Sequence, residues 1–178
     1  NKADDATIMK MPSHHIIILA KNDLGRVNLY RLVSESHVRY FSRQPRIPKS
    51  LLQECREGLI IGTACEAGEL YQAILRDATD AELQKLVDFY DFLEIQPLGN
   101  NDFMVRKSTE PDEKNKKGEV IPNPYRHVTS IEMLKAYNRK IVEIADELGK
   151  PVVATGDVHF LRKSDEIIRK ILMAGQNY

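Results

Sequence analysis

The chain has no tryptophan, only two cysteines (Cys55 and Cys65), and no apolar run of membrane length. Two cysteines cannot build a disulfide framework, and without a secretory arrangement they fit a reducing cytosol. The apolar run from Ile16 to Ala20 falls far short of the roughly 20 residues a spanning helix needs. No membrane is expected as a partner, and the chain reads as soluble and cytoplasmic. An excess of one charge is also missing: 26 lysines and arginines balance 26 aspartates and glutamates. No global field therefore draws the chain to nucleic acid or anionic lipid, and any such contact must be local. What is present is 178 residues at 42% hydrophobic content, enough for one domain with one core.

Strand and helix patterns alternate. Ile16 to Ala20 is a β-branched apolar strand, followed by helical spacing at Leu24, Leu29, Leu32, Val33 and Ser36. Pro45 and Pro48 end that helix, and a short one carries Leu51, Leu52 and Cys55, with Ser50 or Pro48 near its start. Leu59 to Thr63 forms a second strand, leading through Cys65 and Gly68 into a helix with Leu70, Ile74 and Leu75. Asp80 is expected to cap the next helix, whose inner stripe is Leu83, Leu86, Val87 and Tyr90, before a third strand from Asp91 to Gln96. Residues 100–128 hold the charged run Asp112 to Gly118, which predicts a mobile insertion. A long amphipathic helix follows, capped by Thr129 or Ser130, with Ile131, Leu134, Tyr137, Ile141, Ile144, Ala145 and Leu148 inward and Gly149 at its end. The fourth strand is the apolar run after Lys150 that stops at Asp157, and Ser164 then starts a last helix with Ile167, Ile168, Ile171 and Leu172. Four such alternations predict an α/β fold of about four parallel strands with crossover helices, an open sheet or part of a barrel.

The chemistry gathers where apolar runs stop. After Pro151 to Gly156 come Asp157 and His159, which in extended backbone would share a face about 7 Å apart. They suit a metal ion, while Asp157 suits the cap or turn of a following connection equally well. His14 and His15 lead the first strand, and alternation does not say which faces inward. Cys65 enters a helix, where a thiolate would be favoured, or it is a small buried hydrophobe. Histidine, cysteine, aspartate and histidine at strand ends form the mixed nitrogen, sulfur and oxygen set that zinc or manganese accepts. Glu94 reads as a further ligand, a general base or a rim ion-pair partner. His37 and His127 read as surface histidines. The arm carrying Arg26, Arg31, Arg39, Arg43, Arg46 and Lys49 is basic, with Tyr30, Tyr40 and Phe41 interleaved, and reads as a solvated face or a phosphate contact.

At His15 to Asn22, Gly58 to Leu70 and Lys150 to Phe160 the chain resembles the polymerase and histidinol phosphatase (PHP) domain. With Pro45 to Pro48 and Phe89 to Pro97 it resembles more narrowly the PHP domain of the PolC-type DNA polymerase III alpha subunits of Gram-positive bacteria. The resemblance implies a distorted (β/α)7 barrel with metal ligands at strand ends, of which this chain is a partial barrel. Four ligand positions transfer: His15, Cys65, Asp157 and His159, with zinc or manganese as the metal. The family's opening His-x-His motif, its following aspartate and histidine, and its third-strand glutamate have no match here. By the same resemblance residues 1–14 are a lead-in from an exonuclease insertion, and 15–178 are the C-terminal part of the PHP domain, with a flexible insertion at 100–128.

The implied parent makes DNA and proofreads it 3′ to 5′, with both active sites outside these residues. The implied partners are the missing PHP strands, the exonuclease and polymerase domains, replisome subunits, and DNA in the parent enzyme. A metal-dependent phosphoesterase, using hydroxide bridged between metals, is the alternative activity. A non-catalytic interaction module is a third reading. A half barrel exposes apolar edges, so self-association is expected.

Overall fold

The computed structural model describes residues 5–8, 10–115 and 117–175. The four apolar runs become strands β1 (Ile17–Ala20), β2 (Leu59–Gly62), β3 (Leu93–Ile95) and β4 (Val152–Ala154). Helix α1 (Asp23–Val38) follows β1, and α2 (Lys49–Glu54) precedes β2. Helices α3 (Glu69–Leu75) and α4 (Asp80–Val87) join β2 to β3. The short α5 (Leu98–Asn101) and α6 (Phe103–Lys107) and the long α7 (Ile131–Glu147) join β3 to β4, after which α8 (Glu166–Gly175) ends the described chain.

The strand directions depart from the all-parallel expectation. β3 and β4 run parallel, with Leu93 opposite Val152. A parallel bridge between Gly62 and Phe92 links them to β2. β1, however, pairs with β2 antiparallel, Ile17 opposite Gly62 and Ala20 opposite Leu59. Apolar runs look alike in either direction, so hydrophobic patterning carries no information on polarity. A turn of contact between α1 and the entry to β2 secures this pairing: a Cβ on Gly25 would lie 1.8 Å from the Gly58 carbonyl oxygen, and Gly58 itself has φ +75°. Among the described residues β1 and β4 each have one sheet partner, so the strands form an open array.

Local signals decide the helix starts. Asn22 caps α1, its side chain accepting from the Gly25 N–H at 2.9 Å, and Ser130 caps α7 by accepting from the Met133 N–H. Thr79, rather than the expected Asp80, caps α4 through a reciprocal box with Glu82, which uses the side-chain oxygen one residue earlier. The core joins Leu32, Ile61, Leu70, Leu83, Val87, Leu93, Leu134, Ile141 and Ile144. Each such aliphatic side chain contributes about 1.5–3 kcal/mol on burial. Lys150 reaches under the end of α4, its ammonium donating to the carbonyls of Val87 at 3.0 Å and Asp88 at 3.3 Å. These are the carbonyls a helix C-terminus leaves open.

Within residues 100–128, α5 and α6 occupy the start, a hairpin pairs Glu113–Lys114 with Val120–Ile121, and Asn101, Met104 and Val128 are buried. Asn123 stitches it together, its side chain donating to the Lys107 carbonyl at 2.7 Å and the Glu110 carbonyl at 3.0 Å. Charge in the hairpin tip masked the apolar anchors at either end. The apolar stripe of Ile167, Ile168, Ile171 and Leu172 on α8 is more than half exposed at every position. Its periodicity is real, but nothing among the described residues covers it.

Candidate metal centre at the strand pole

Because β1 is antiparallel to β2, its first residue meets the last residue of β2, and the segment before β1 reaches the loop after β2. His15 donates its backbone N–H to the Ala67 carbonyl at 3.0 Å and bridges to Gly68. Its ring Nδ1 lies 3.3 Å from Cys65 Sγ. His15 therefore faces Cys65, and His14 lies near Glu69. Gly68 permits the approach: a Cβ there would lie 2.0 Å from the Thr63 carbonyl oxygen.

Asp157 and His159 meet by a different route from the one their spacing predicts. β4 stops at Ala154, and Asp157 takes a left-handed conformation with φ 48°, so the two are not neighbours on an extended strand. The turn brings His159 Nε2 to 3.1 Å from Asp157 Oδ2. Ala64, immediately before Cys65, is also left-handed at φ 60°. A non-glycine residue in that region costs of order 1–3 kcal/mol and tends to sit where function constrains the backbone. Both loops that bear candidate donors carry one.

Cys65 does not hold a thiolate in this geometry. Burial pushes its thiol up to about 11, with the charge of Glu66 adding to the rise. The helix entry expected to favour the anion is outweighed by the partial burial of the thiol. Metal coordination would have to displace that proton.

The donor chemistry suits zinc or manganese: imidazole nitrogen and thiol sulfur in one pair, carboxylate oxygen and imidazole nitrogen in the other. A structural zinc needs about four donors. Among the described residues no three histidine, cysteine, aspartate or glutamate side chains converge as a metal-holding group. The chain thus presents two preassembled two-donor sets, which fit parts of a centre and not a closed shell.

Glu94 is not at the rim, and among the described residues it has no ion-pair partner. It is 4% exposed. Its Oε1 accepts from Thr155 Oγ at 2.7 Å and from Gln96 Nε2 at 3.1 Å, and its backbone N–H donates to Thr63 Oγ at 3.0 Å. Thr63 and Thr155, each two residues before a candidate donor, are the participants that motif reading missed. Their spacing from Cys65 and Asp157 was the available signal.

The basic arm divides. Arg31, Arg39, Arg46 and Lys49 line a cleft of about 1420 Å³, but Asp5, Glu35, Glu54 and Glu69 line it too. Arg39 pairs with Asp5 at 2.7 Å, and Lys49 pairs with Glu69. The arm is thus largely committed within the chain. His37 is exposed, its Nδ1 2.8 Å from the Val33 carbonyl oxygen, whereas His127 is half-buried with Nε2 enclosed. No helix among the described residues is long and apolar enough to cross a membrane.

Comparison with known proteins agrees with these landmarks. Residues 4–97 match the family model described as PHP domain. The chain is 52% identical over 171 residues to a DNA polymerase III PolC-type of Clostridium perfringens, covering 96% of this chain and 11% of that protein. It is 46% identical over 151 residues to the Caldanaerobacter subterraneus protein of the same description, covering 85% of this chain and 10% of the relative. Against the Bacillus subtilis protein it is 38% identical over 169 residues, covering 92% and 10%. The chain spans about a tenth of the length of these relatives.

Proposed function

Because this chain belongs to the PHP domain family, we propose that it is the C-terminal part of the PHP domain of a cytoplasmic PolC-type replicative DNA polymerase. The observation that carries this reading is the 52% identity maintained over 96% of the chain. The parent copies DNA and proofreads 3′ to 5′, while this portion serves as a scaffold bearing part of a metal centre. Its partners are the remaining PHP strands, the exonuclease and polymerase domains, replisome subunits and, in the parent, DNA.

In this reading His15, Cys65, Asp157 and His159 are the chain's share of the ligands, with zinc or manganese as the metal. The short His15 to Cys65 and Asp157 to His159 contacts support it. A bound metal would supply Lewis acidity or structural crosslinking at the pole. The chain's residues supply the donors and the loops that aim them.

Two measurements test the proposal. Purified chain is expected to extend no primer and degrade none; templated synthesis by it alone would overturn the assignment of the polymerase site to another segment, and primer degradation that of the exonuclease site. Elemental analysis beside a His159→Ala variant is expected to show metal in the parent sequence and less in the variant. Robust, chelator-sensitive phosphatase activity would instead favour a metal-dependent phosphoesterase.

A further inference from the structure

Glu94 sits in the middle strand between the two donor-bearing loops and touches both. On one side its N–H donates to Thr63 Oγ, two residues before Cys65. On the other, its Oε1 accepts from Thr155 Oγ, two residues before Asp157. Gln96 turns back to donate to the same oxygen. One residue of β3 therefore ties the end of β2 to the end of β4.

The second carboxylate oxygen, Oε2, is buried and accepts no hydrogen bond among the described residues. An unsatisfied buried acceptor costs about 1–3 kcal/mol, more when charged. A side chain needed only to tie the strands would not require that oxygen. A glutamine with its carbonyl toward Thr155 and Gln96 would tie them equally well.

We propose that Glu94 is a positioning residue of the strand pole, holding the Thr63–Cys65 and Thr155–His159 segments in register and keeping Oε2 for a donor that arrives with the bound metal, such as its coordinated water. This rests on the metal-centre reading above. Acceptors of this kind fix and tune ligands they do not replace.

The test uses the 178-residue chain with its Glu94→Gln, Glu94→Ala and Thr155→Val variants. Amide hydrogen exchange is measured without metal, and Co(II) binding is followed by the thiolate-to-cobalt absorption that reports Cys65. Glu94→Ala and Thr155→Val are expected to speed exchange at the 155–159 amides about three- to tenfold. Glu94→Gln is expected to leave that exchange unchanged, because its carbonyl keeps both donors, yet to weaken Co(II) about 10- to 100-fold by presenting an N–H where Oε2 stood. Unchanged exchange in Glu94→Ala, or in Thr155→Val should the alanine variant not fold, overturns the positioning role. Glu94→Gln binding Co(II) as tightly as the parent sequence overturns the role of Oε2. A parent sequence that takes up no Co(II) overturns the metal-centre reading itself, and with it the role of Oε2, while the exchange data still decide the positioning.

Discussion

Ile17 lies opposite Gly62 in an antiparallel pair, and this one register brings the start of β1 to the end of β2. Had the strands run parallel, the residues before β1 would lie at the opposite pole from Cys65. The contact between His15 and Cys65 is a consequence of strand polarity.

Gly68 should be intolerant of a side chain. In Gly68→Ala the new Cβ would lie 2.0 Å from the Thr63 carbonyl oxygen and 2.9 Å from that of Cys65, both backbone atoms with little freedom to move. The expected loss is about 1–3 kcal/mol, the usual range for overpacking. Thermal denaturation gives the stability, and faster thiol labelling at Cys65 would show that the loop has opened. A variant with the parent's melting temperature would contradict the geometry.

Glu69 should make stability depend on acid. Burial works to raise its pKa, but the hydrogen bond and charge of Lys49 and the hydrogen bond from Tyr90 prevail, leaving it below the ordinary glutamate value of 4.5. The Tyr90 hydroxyl donates to Glu69 Oε2 at 2.9 Å. A depressed folded-state value means the contribution is fully present above pH 4.5 and is lost as pH falls through the folded-state value. Glu69→Gln is expected to be less stable than the parent at pH 7, with the gap narrowing below pH 4.5. Equal gaps at pH 7 and pH 3 would show that the carboxylate's charge is not what matters.

Leu93 should be the costliest small truncation in the sheet. It is fully buried in the middle of the strand array, and its N–H donates to the Pro151 carbonyl at 2.9 Å. Leu93→Ala is expected to lose about 2–5 kcal/mol, transfer and cavity costs together. Chemical denaturation with an unchanged slope is the check.

Exposed Ile167, Ile168, Ile171 and Leu172 on α8 should drive association of the chain when nothing else covers them. Sedimentation velocity is expected to show mass rising with concentration, and Ile171→Glu to reduce it strongly. A parent sequence that stays monomeric at high concentration would remove this face as the cause.

Reading residues in order went far for the elements. The runs at Leu59 to Gly62 and Val152 to Ala154, the cap at Ser130, and the buried stripe of Leu134, Ile141 and Ile144 follow from local periodicity and capping chemistry, which act within a few residues. The anchors Met104 and Val128 were hidden because a charged hairpin lies between them, and the average over such a segment says loop where its ends say core.

By itself, the order of residues marked the four apolar strands and the longer helices, and the side chains proposed here as metal ligands. Only the tertiary structure decided that β1 runs against β2, that a left-handed turn rather than a straight strand joins Asp157 to His159, and that Glu94 links Thr63 to Thr155. The reason is range. Propensity and periodicity are set by neighbours along the chain, whereas strand polarity and contacts across 31 and 61 residues depend on which packing of the whole chain satisfies its buried polar groups.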